Sequence, residues 1–167
     1  MTDLDMENEK ENEPRLDPWR EFLKTTECMD VQDHGSVILV RFLSERMEFT
    51  TMTGLARDGR IGKVLIYPLR VPAADQERMQ AFVAPLNRED EVLGIEVSET
   101  DGMIRLELAL DVPDDKLEPV IYEGMFDYLR LAAEKLLPYV TGVLYGHLEP
   151  SFAADQAEAA LQEALGD

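Results

Sequence analysis

The chain has 167 residues, with 35 Asp and Glu against 16 Lys and Arg and a formal charge of −19 at pH 7. A chain of this length can bury one self-sufficient core, and an apolar content of 45% is that of a globular protein. The negative field repels nucleic acid and anionic lipid, so direct binding to either is not expected, whereas basic partners are attracted.

No run of 18 apolar residues occurs, so no membrane span is expected. The start, MTDLDMENEKENEP, lacks the basic end and apolar centre of a signal peptide. The single cysteine, Cys28, cannot form an intrachain disulfide. Together these predict a cytoplasmic location.

Residues 1–14 carry six acids against the single Lys10 and are predicted to form a disordered acidic arm. Asp17-Pro18 opens a short helix, with Asp17 placed to cap free amides and Pro18 lacking the amide that would go unused. Trp19, Phe22 and Leu23 share its apolar face, and Trp19, the only tryptophan, is expected in the core or an interface. Asp33-His34-Gly35 is a turn signal before the apolar run Val37–Phe42. Met47, Phe49, Thr51, Thr53 and Leu55 then alternate with Glu48, Thr50, Met52 and Gly54, the period of a half-buried strand, and Asp58-Gly59 reverses the chain. The next strand, Lys63–Leu69, is apolar on both faces. Its Pro68 cannot donate to a ladder, which predicts an edge position or an end near that point. Arg57, Arg60, Lys63 and Arg70 are the one local concentration of bases and are expected on a solvated hairpin flank.

Pro72 precedes a helix with Met79, Phe82, Val83 and Leu86 on its apolar side and Pro85 near its end. Asn87–Asp90 is predicted to be loop. Leu93, Ile95 and Val97, then Ile104, Leu106, Leu108 and Leu110, alternate with polar residues around the turn Thr100-Asp101-Gly102, a hairpin with one buried face. A long helix begins near Asp114 or Pro119, with Leu117, Ile121, Met125, Tyr128, Ala132 and Leu136 at helical spacing, widened by Tyr122 and Leu129. Pro138 and Gly142 are expected to weaken its last turns. After Pro150, Ser151 is placed to cap an alanine-rich helical tail whose narrow seam is Phe152, Leu161 and Leu165. The organisation is therefore an arm over 1–14, a domain over 15–149 and a tail over 150–167, with both terminal segments dispensable for folding.

The search for chemistry yields no placed catalytic set. His34 sits in a turn and His147 follows the long helix, and no spacing typical of metal ligands, serine nucleophiles or phosphate loops occurs. The segment Arg57–Lys63 is Gly-rich but lacks the Ser or Thr and the helix that a phosphate cradle needs. Cys28 has no evident thiolate stabiliser. Acidic clusters at Glu89–Glu91, Glu99–Asp101 and Asp114–Asp115 show no convergent pattern. No catalytic residue, cofactor or metal site is predicted.

The order helix, strands, helix, hairpin, long helix resembles the YbjN family. The likeness is clearest over 63–140: a strand leading to the helix that ends Ala84-Pro85-Leu86-Asn87-Arg88, the hairpin Val92–Leu110, and Pro113-Asp-Asp-Lys-Leu117 before the long helix. The resemblance implies an α+β fold like that of the type III secretion chaperones, an antiparallel sheet packed against helices in the order α-β-β-β-α-β-β-α. It also implies a homodimer that binds a protein partner without chemistry of its own. The residues point to a chaperone-like or regulatory adaptor whose dimer or partner surface is Val64, Leu65, Ile66, Tyr67 and Leu69. Charge suggests a basic partner, such as a DNA-repair or other nucleic-acid-binding protein. The alternative is a small-ligand or catalytic domain built on the acidic loop from Asn87 to Glu91.

Overall fold

The computed structural model describes residues 13–44, 47–55, 60–89, 93–113 and 116–165. Most of the acidic arm, the Asp58-Gly59 turn and the acids Asp90, Glu91, Asp114 and Asp115 lie outside them. Within them the chain folds as α1 (Asp17–Thr25), β1 (Asp30–Asp33), β2 (Val37–Leu43), β3 (Glu48–Leu55), β4 (Ile61–Arg70), α2 (Gln76–Glu89), β5 (Leu93–Val97), β6 (Met103–Leu110), α3 (Pro119–Leu144) and α4 (Pro150–Leu165).

The six strands form one open sheet in the order β1-β2-β3-β4-β6-β5, antiparallel throughout. All helices cover the same face. Period-two alternation sends Ile38, Val40, Phe42, Phe49, Leu65, Tyr67, Ile95, Ile104 and Leu106 into that layer, where each is buried. Helix α3 lies across β4 and β6, α2 runs beside β5, and α1 packs on α3. Trp19 stacks on Phe22 and Tyr122 and tilts against Phe126, so α1 is fastened to α3 by rings. The Tyr67 hydroxyl donates to the Ala133 carbonyl at 2.7 Å, tying β4 to α3.

Several expectations change. The strand β1 escapes pattern reading because Asp-Val-Gln-Asp carries one apolar residue. Strand β4 is central rather than at an edge. Its pairing with β3 stops at Ile66, and its register with β6 slips between Ile66 and Arg70, so Pro68 falls where the ladder is interrupted. Pro85 lies inside α2, which continues to Glu89 and absorbs the predicted loop residues Asn87 and Arg88. Pro138 likewise lies inside α3.

Helix α3 ends at Leu144, and beyond its cap Tyr145 the chain turns at Gly146, whose φ of 73° suits a glycine. Gly142 marks a close approach instead of a weak turn: a β-carbon there would stand 2.5 Å from Leu148. That approach folds α4 back onto α2 and α3. Its buried seam is Ala153, Ala154, Ala157 and Leu161, while Phe152 is 54% exposed. The tail thus packs into the core instead of standing apart from the domain as a separate segment. Small side chains let the helices approach closely, and such a seam has too few large apolar residues to stand out in sequence.

Candidate functional site

No described element covers the face of the sheet opposite the helices. Register fixes its rows. Val37, Gly54, Gly62 and Ala109 form one row across four strands, and Gln32, Leu39, Met52, Val64, Glu107 and Gly94 form the next. Asp30, Arg41, Thr50, Ile66, Arg105 and Glu96 form the third. The first row has almost no side chains, so it sinks into a shallow trough of about 330 Å³ lined by Val37, Met52, Gly54, Gly62, Val64 and Ala109, among others. Met52, at 37% exposed, and the half-buried Leu39, Val64 and Ile66 make its upper wall apolar. Cross-strand ion pairs bracket this strip: Arg41 with Asp30 at 3.5 Å and Glu48 at 3.3 Å, and Arg105 with Glu96 at 3.4 Å. Glu107 stands between the strip and Glu96. Burial first, and the Glu96 charge second, raise its carboxyl above the ordinary range.

Of the residues expected to form a dimer or partner surface, the structure brings Val64 and Ile66 to this open face. Leu65 and Tyr67 are corrected to the core, at 0% and 2% exposure under the helices, and Leu69 is half-buried against that core. Alternation along one strand forces this split, because neighbours cannot share a face.

The two edges of the sheet differ. Along β5, the Asn87 side chain donates to the Ile95 carbonyl at 2.8 Å and accepts from the Ile95 amide at 2.7 Å. Gln80 donates to the Val97 carbonyl at 3.2 Å and Gln76 to the Glu99 carbonyl at 3.4 Å. Side-chain amides from α2 thus occupy the place of a seventh strand. Asn87 is engaged there, and this removes it from the alternative site on the acidic loop.

Lys63 is the residue that sequence reading placed most wrongly. Expected on a solvated flank, it is fully buried on the helix side, its Nζ 3.2 Å from the centroid of the Trp19 ring and 4.9 Å from that of Phe126. Its Nζ, Trp19 Nε1 and the Oγ1 of its cross-strand neighbour Thr53 have no hydrogen-bond partner among the described residues. Burial pushes the Lys63 ammonium well below the usual lysine range, with Cys28 and Asp127 opposing. Burial raises the half-buried Cys28 thiol, and the Lys63 amine partly offsets it. The signal was available: Ile61, Lys63, Leu65 and Tyr67 share one parity of a strand.

Arg60 and Arg70 are exposed, as read. Arg70 donates to Asp101, which the hydrogen bonds of Ser98 and Met103 and then Arg70 hold at about 2. Among the described residues no group of three His, Cys, Asp or Glu is placed to hold a metal ion, and no helix is long and apolar enough to cross a membrane. No family model matches the chain, and no curated protein matches it.

Proposed function

We propose that this chain is a non-enzymatic protein-binding module, a chaperone-like or regulatory adaptor of the YbjN and type III secretion chaperone type, working as a homodimer on a basic protein partner. The observation that carries the reading is the uncovered apolar strip of Leu39, Met52, Val64 and Ile66. A sheet face of this kind, left bare by its own helices, is what a second copy covers at low cost. Strands about 4.8 Å apart and about 3.3 Å per residue give the four central strands a flat footprint of roughly 450 Å². Side-chain relief brings that toward the roughly 800 Å² each partner contributes to an ordinary interface. The paired charges around the strip limit repulsion between copies locally, although each chain carries −19. A basic partner, for example a protein that handles nucleic acid, would then meet the remaining acidic surface.

Sedimentation velocity at micromolar concentration tests the dimer. The wild-type chain should sediment as a dimer and Ile66→Glu as a folded monomer. A wild-type monomer sinks the homodimer. A low-salt pull-down that retains an acidic protein, unaffected by salt, would remove the basic partner.

A further inference from the structure

We propose that the outer edge of β1 is a strand-addition site for an extended basic segment of another protein, which seats one apolar side chain in the pocket between α1 and β1. The inference rests on the reading of the chain as a protein-binding module but uses a different surface from the dimer face.

The two edges of the sheet are treated differently. The β5 edge is filled by Asn87, Gln80 and Gln76. At the other end, among the described residues, β1 pairs only with β2. The hydrogen bond from the His34 amide to the Val37 carbonyl closes that hairpin. Antiparallel alternation then bonds Gln32 and Asp30 to β2 and turns the N–H and C=O of Val31 outward. Val31 is 44% exposed and Met29 54%. Beside them lies a pocket of about 350 Å³ lined by Arg20, Leu23, Lys24, Val31, Asp33 and Ile38. A residue paired with Val31 from a new strand shares its face, and its side chain enters this pocket.

Charge selects the occupant. Residues 17–33 hold five acids against two bases. Both bases are taken, Arg20 by Asp33 at 2.7 Å and Asp17 at 2.8 Å and Lys24 by Glu21, and Arg41 of β2 stands 3.5 Å from Asp30, which leaves the edge an excess of two acids. A second copy of β1 would bring two such acid-rich edges together with no added base to offset them, and the repulsion between like-charged edges disfavours it. A strand with basic residues opposite Asp30 and Gln32, and an apolar one opposite Val31, meets no such penalty.

The probe is a fluorescein-labelled peptide, Lys-Thr-Lys-Leu-Lys-Thr-Lys, titrated into the full chain by anisotropy. Its control is the same peptide N-methylated at leucine, which keeps charge and side chains but loses one backbone donor. The parent peptide should bind, with amide shifts centred on Val31 and Asp33, and the control should bind about tenfold more weakly. Val31→Lys, at an exposed position, should abolish binding while leaving the melting curve unchanged. Equal affinity of the two peptides, shifts centred on Val64 and Ile66, or no binding at all would overturn the proposal. Sedimentation of the same sample reads the dimer independently, so either idea can fall alone.

Discussion

Lys63 concentrates a cost at one atom. Its ammonium loses water on burial and gains only the faces of Trp19 and Phe126, with no hydrogen bond to its Nζ among the described residues. The sign of the pH effect follows. A folded-state value well below the ordinary 10.5 means the unfolded chain binds more protons in the interval between the two. The penalty is absent above the ordinary value and grows as pH falls toward the depressed one. Lys63→Met keeps all but the last atom of the side chain's length and removes the charge, so it should stabilise the fold by about 1–3 kcal/mol. The gain, measured by denaturant unfolding, should be larger near about pH 7 than near about pH 10. An equal gain at both would place the cost in packing rather than in charge. Sequence reading missed this residue because a lysine beside arginines suggests solvent, although its parity with Ile61 and Leu65 argued for the core.

At the scale of elements, legibility tracked apolar periodicity. The hairpin of β5 and β6 and the inward face of α2 were readable because Leu93, Ile95, Val97, Met79, Phe82, Val83 and Leu86 repeat at the spacing of their element, and all are buried. Strand β1 and the α4 seam were not. One has a single apolar residue, and the other buries alanines, which carry little periodic signal. The open face was half legible: alternation on β4 was visible, but which parity faces the helices is decided by tertiary packing. Docking of α4 leads to a prediction. A chain ending at Pro150 uncovers the sides of α2 and α3 that Ala153, Ala157 and Leu161 bury. It should melt lower than the intact chain by more than about 10 °C, as read by thermal circular dichroism. A shift of only a few degrees would show that α4 is a passenger on a core complete without it.

For the whole molecule, the proposed dimer couples to pH through Glu107. Burial and the neighbouring Glu96 already raise its carboxyl in the single chain. Covering the open face would raise it further, so association takes up protons and strengthens as pH falls through that raised range. Each of the two copies takes up as much as one proton, so dissociation constants from sedimentation should tighten by up to about a hundredfold per pH unit there. Glu107→Gln should bind more tightly at neutral pH and lose that dependence. A dimer whose affinity is flat across mildly acidic pH would place Glu107 outside the interface. The seal that α2 lays on β5 carries a further consequence, in the language of polymer growth. A unit with two reactive ends propagates; a unit with one can only terminate. With Asn87, Gln80 and Gln76 closing one end of the sheet, the described residues leave a single open end, so copies of this chain cannot join end to end through both edges of their sheets. The same closure keeps a strand-addition site at β1, as proposed, from serving as one of two ends through which copies could polymerise.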